Sequence, residues 1–158
     1  MQVTLARALK LKKRIIERIE KYEEDITLSN RIIVGNIRDI DVNETMRLKK
    51  NLKDILINLK VKIHEAGAPI RHEIFTLSEI KSDINFLKAI PTDHGKVFRR
   101  NVLMDEGDVE YSVILTKADI DKDIKTLQSN IDSLQFDIID KYNSVTMVEV
   151  GIDNLDDI

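Results

Sequence analysis

Between Ile120 and Ile138 the apolar residues Ile120, Ile124, Leu127, Ile131, Leu134 and Ile138 recur at alternating steps of four and three, with polar or charged residues at most positions between. Such spacing keeps one face of an α-helix apolar along its length, so the segment reads as a coiled-coil seam. Ile124, Ile131 and Ile138 fall at one heptad position and Leu127 and Leu134 at the other, the β-branched and Leu arrangement that favours two helices side by side. Burying six such side chains contributes on the order of 9 to 18 kcal/mol before ordering entropy is subtracted. A solitary helix cannot collect that. The seam must meet other helices of the chain, a second copy, or both.

The rest of the chain supplies candidate partners. Only five Gly and two Pro interrupt it, and 42% hydrophobic with 34% charged residues is the mixture of amphipathic helices with solvated outer faces. The fold expected is mainly α: a long-helix bundle or antiparallel coiled coil, with a small β-hairpin or single strand before the last helix. A first helix spans about 4–28, with Leu5, Leu9, Ile16, Ile19 and Ile26 on one face and Ala8, Ile15 and Tyr22 flanking. Lys12 and Glu23 interrupt that stripe, which predicts packing at an angle or near an edge. Ser29, Asn30, Gly35 and Asn36 mark a connection, and its apolar run Ile32 to Val34 is expected to cap the bundle end.

Asp41 and Glu44 have capping-box spacing ahead of a second helix over about 42–66, whose stripe is Leu48, Leu52, Ile55, Leu59, Ile63 and Ala66. Gly67 and Pro69 break it. A third helix over about 70–90 carries Ile70, Ile74, Leu77, Ile80, Ile84, Leu87 and Ile90, with Phe75 and Phe86 widening the arc. Across a β element at about 97–116, Val109, Tyr111, Val113 and Leu115 alternate with Glu110 and Ser112. Their partner is either Val97 to Met104, across an Asp105-Glu106-Gly107 turn, or another subunit. Thr116 and Asp119 then open the last helix, about 117–142. Residues 1–146 are read as one bundle domain and 147–158 as an acidic tail. In that tail Val148, Val150, Ile152 and Leu155 alternate with acids, as in a disordered appendage or a docking peptide.

Ala8 to Arg14 (ALKLKKR), Leu77 to Ser82 (LSEIKS) and Leu134 to Asn143 (LQFDIIDKYN) carry a resemblance to the septicolysin-like family of small uncharacterised helical proteins of bacterial and phage genomes. The order of long helix, polar linker, helix pair, short strand and final long helix is similar too. The resemblance implies a helical bundle or hairpin assembly and brings no catalytic residues. The family name hints at cytolysis. The chain departs from the family pattern at its end, where Ser144 rather than Trp follows Asn143 and an acidic extension continues to Ile158.

Chemistry is sparse. The lack of Cys removes disulfides, thiolate metal sites and a cysteine nucleophile, and fits a reducing compartment. His64, His72 and His94 form no pair on one helical face, and the five glycines are isolated, so neither a metal motif nor a phosphate-cradling loop is written here. No catalytic, cofactor-binding or metal residue is assigned, and no enzymatic activity or cofactor is expected. Arg7, Lys10, Lys12 and Lys13 interrupt any apolar run near the start, so neither a signal-peptide core nor a membrane span is expected.

A net charge of −3 conceals a polarity between the basic first helix and the acids from Glu149 onward. Lys10, Lys12, Lys13, Arg14 and Arg18 form a candidate basic patch, to which Arg99 and Arg100 could add. The expectation is a structural or interaction protein that self-associates through coiled-coil helices or binds other protein subunits. It would be cytoplasmic, or part of a virion if phage-encoded. A membrane-active protein working through amphipathic helices is the alternative, and a nucleic-acid-binding accessory protein a weaker one.

Overall fold

Thr4 stands in extended conformation and its hydroxyl accepts the Arg7 amide at 3.3 Å, which starts α1 (Leu5–Ser29). Asp41 starts α2 (Val42–Ala66) in the same way, its carboxylate accepting the Asn43 and Glu44 amides at 2.9 and 3.1 Å. Glu44 does not return the bond as a full capping box requires. Its carboxylate turns instead to Arg47 at 2.6 Å. In this computed structural model, which describes residues 1–99 and 107–151, the chain is mainly α-helical, with two small two-stranded sheets. The described residues form two compact units: Met1–Arg71 with the segment from Ile139 onward, and His72–Ile138.

In the first unit α2 runs back along α1, and each helix has 25 residues, or about 37 Å. Leu5, Ala8, Leu11, Ile15 and Ile19 are buried on α1, and Thr45, Leu52, Leu56 and Leu59 on α2. The stripe of α1 is therefore rotated from that expected, whereas on α2 Leu52 and Leu59 are buried and Ile55, Ile63 and Ala66 pack against the core as expected. On α1, Ala8 and Ile15 are fully buried while Leu9 and Ile16 flank the core. The phase is set at Tyr22, which packs against the core in place of Glu23. Glu23 is exposed and takes the Lys49 ammonium at 2.8 Å, clipping the two helices together near their connection. That hydrogen bond holds the Glu23 carboxyl below its ordinary range. On α2, Leu48 is exposed and Thr45, Leu56 and half-buried Lys49 share the inward face.

A ribbon closes this unit. β1 (Gln2–Thr4) pairs antiparallel with β4 (Met147–Glu149), Val3 opposite Val148. The pairing extends outward, since the Met1 amino group donates to the Val150 carbonyl at 3.1 Å and the Val150 amide to the Met1 carbonyl at 2.9 Å. Val3, Val148 and Val150 join the helical core. The start of the expected tail is thus a strand, because its alternating valines find an apolar surface within the chain. Ile152 and Leu155 lie outside the described residues.

Gly67 ends α2, and Pro69 sits in a single 3₁₀ turn (Ala68–Ile70) before α3 (Arg71–Ala89). The second unit holds most of α3, a hairpin and α4 (Lys117–Asp132). In the hairpin β2 (Gly95–Arg99) pairs antiparallel with β3 (Gly107–Tyr111), Val97 opposite Val109. The strand partner is therefore within the chain, while Val113 and Leu115 lie past the strand end and Arg100 and the 105–106 turn outside the described residues. Gly95 opens β2 with φ of 89°, a left-handed conformation that glycine adopts without strain. Thr116 and Asp119 form the full reciprocal capping box of α4. The Asp119 carboxylate accepts the Thr116 hydroxyl at 2.6 Å and the Thr116 amide at 3.0 Å, and these bonds hold it below its ordinary range.

Candidate functional site

The seam that stands out in the sequence lies on α4 and the π-helical segment Ser133–Asp140 that continues it. Ile120 and Ile131 are buried, and Ile124, Leu127 and Leu134 are half-buried. Ile138 does not complete the row: it is 40% exposed, and Ile139 is buried in its place at 6%. The reason is helical phase. A π turn closes its hydrogen bonds one residue later than an α turn, so it moves the inward face on by one position. The same segment carries the chain from the second unit into the first. After it, α5 (Lys141–Val145) places the Tyr142 hydroxyl against the core, where it donates to the Ala66 carbonyl at 2.9 Å.

The stripe of α3 is also incompletely covered. Leu77 and Ile84 are buried, Ile80 and Leu87 half-buried, and Ile74, Phe75 and Phe86 exposed. The two phenylalanines therefore stand in solvent and do not widen a buried arc. Between α3 and α4 lies a groove of about 390 Å³, lined by Asp83, Phe86 and Leu87 of α3 and Asp123, Thr126 and Leu127 of α4.

The α1–α2 connection is the second apolar exposure. Ile32 is half-buried, but Ile33, Val34 and Ile37 are 76%, 100% and 92% exposed. The run expected to cap a bundle end instead points away from it. Gly35, with φ of 96°, lets the chain turn there. The Arg38 guanidinium donates to the Ser29 and Asn30 carbonyls at 3.1 and 3.4 Å, tying the loop to the end of α1.

The basic patch is only partly assembled. Lys10, Arg14 and Arg18, four residues apart, share the outer face of α1, and exposed Arg7 and Lys21 extend it beyond the residues singled out in sequence. Lys13 is paired with Glu17 at 3.8 Å, and the Arg18 guanidinium lies 5.1 Å from the centre of the Tyr22 ring. Lys12 leaves the patch, since it is half-buried at the edge of the inward face. Interspersed Glu17, Glu20 and Glu24 divide this face further.

Among the described residues no group of three or more His, Asp or Glu could hold a metal ion, and no helix is long and apolar enough to cross a membrane. The three histidines are exposed, and His64 Nε2 lies 3.0 Å from the Arg71 guanidinium. No family model matches the chain, and neither a curated protein nor a solved structure gives a match. The surface that sequence reasoning missed is the groove. Phe86 was its one available signal, an aromatic residue off the α3 stripe in a chain with only 4% aromatics.

Proposed function

We propose that the protein is a non-enzymatic assembly subunit that self-associates through the α3–α4 face of its second unit. One observation carries this reading: the apolar row of α4 stays half-open in a single chain, next to a groove lined by exposed Phe86. Leaving Ile124, Leu127, Leu134 and Phe86 partly in water forgoes burial free energy that a further apolar surface would recover. The charged groups favour structure over chemistry. Glu23, Glu44 and Asp119 each serve a helix clip, a helix surface pair or a helix cap. A phage or mobile-element particle is the setting suggested by the resemblance described above.

The test is the mass of the purified protein by light scattering over a hundredfold concentration range. The expected result is a species at a whole multiple of 18.2 kDa whose population rises with concentration. A mass of 18.2 kDa throughout would overturn the proposal.

A further inference from the structure

The two apolar exposures complement each other, and we propose that the α3–α4 groove receives the α1–α2 loop of a second copy, joining copies head to tail. The inference rests on the self-association proposed above and names its contacting parts. The loop offers Ile33, Val34 and Ile37 to solvent, and Arg31 beside them has no carboxylate within 4 Å among the described residues. Arg38 holds the loop to the end of α1, so less ordering entropy is lost on docking.

The groove has the matching chemistry. Phe86, Leu87 and Leu127 supply apolar lining, and Asp83 and Asp123 line the groove beside them with no cation within 4 Å of their carboxylates among the described residues. Its 390 Å³ is more than twice the roughly 150 Å³ that accepts a benzene ring, which leaves room for more than one branched aliphatic side chain. Few polar groups are present to orient a small molecule. A groove lined by two acids disfavours the acidic sequence from Glu149 onward and favours apolar residues flanked by arginine. Arg31-Ile32-Ile33-Val34 is such a segment. The basic face of α1 is not, because the apolar residues of α1 are committed to its own core.

Loop and groove are different surfaces, so the contact is heterologous. Each added copy leaves one loop and one groove free, and the product is a ring or an open filament according to whether the rotation closes. This property also supplies the test. Val34→Asp disables the loop and Phe86→Asp the groove. Both positions are exposed, so circular dichroism should show an unchanged helical fold. Alone, each variant should associate at least about 30-fold more weakly than wild type, the loss expected of a hot-spot anchor.

Mixed in equal amounts, the two variants should form a dimer and nothing larger in sedimentation velocity, because the mixture retains one intact loop and one intact groove per pair. Wild-type association that survives Val34→Asp, or a mixture that stays monomeric, would overturn the loop as occupant while leaving self-association standing. A wild type that is monomeric at every concentration would overturn both. If that monomer bound vesicles of anionic phospholipid, and Val34→Asp abolished the binding, the loop would belong to a lipid surface instead.

Discussion

Ile138 and Ile139 are adjacent, chemically identical and on opposite sides of the question of how the last helix is wound. In an uninterrupted α-helix the row Ile124, Ile131, Ile138 continues and Ile138 carries the burial. With the π segment, Ile139 carries it, at 6% exposure against 40% for Ile138. Truncating a buried Ile to Ala removes three carbons at about 0.8 kcal/mol each and leaves a cavity, so Ile139→Ala should cost roughly 3 to 4 kcal/mol. Ile138→Ala removes carbons already partly in water beside a surface free to relax, and should cost about 1 kcal/mol. For a chain of this size each kcal/mol moves the melting temperature by about 2 to 4 °C, so the variants should melt at least about 4 °C apart. Urea titrations followed by circular dichroism would give the same ordering as a shift in midpoint. Equal losses, or a larger loss at Ile138, would refute the phase argument and restore an α-helical seam through Ile138.

Four further outcomes follow from the caps, the Tyr142 hydroxyl and the ribbon. Thr116→Ala removes the hydroxyl that accepts the Asp119 amide and should cost about 0.5 to 2 kcal/mol, read as faster amide exchange in the first turn of α4. The Asp119 carboxyl is held below its ordinary value of 3.8, and Glu23 and Glu44 below 4.5. These groups therefore contribute stability above those values and lose it as pH falls through the lower folded-state values. An Asp119 carboxyl titrating at or above 3.8 in an NMR experiment would contradict the cap. Tyr142→Phe strands the Ala66 carbonyl at the end of α2 and should cost roughly 1 kcal/mol in thermal melts, with no change in helicity. Deleting everything after Thr146 removes buried Val148 and Val150, and should destabilise the first unit by several kcal/mol; unchanged melting would show the ribbon to be dispensable.

The fold class was legible because it depends on quantities a sequence displays directly: periodicity, helix caps and the placing of Gly and Pro. Thr4, Asp41, Thr116, Gly67 and Pro69 all stand at element ends, and the hairpin strand pairs with Gly95–Arg99, so of the two partners the sequence left open it takes the one within the chain. What periodicity could not supply was phase. On α1, Ala8-Leu9 and Ile15-Ile16 offer two adjacent apolar stripes, and the stripe with the larger residues is the wrong one. Tyr22 against Glu23 was the available discriminator. A seam through Glu23 buries a carboxylate, whereas a seam through Tyr22 leaves Glu23 outside to meet Lys49.

On the last helix the phase changes partway along, and the pair Ile138-Ile139 supplies an apolar residue for either winding, so no count of apolar spacing could place the π segment. The candidate site was hidden for a related reason. A groove depends on which parts of two stripes remain uncovered, and coverage is a property of the packed helices. On α4 and the π segment it leaves Ile124, Leu127 and Leu134 half-buried where Ile120 and Ile131 are buried, a difference that apolar spacing alone does not encode.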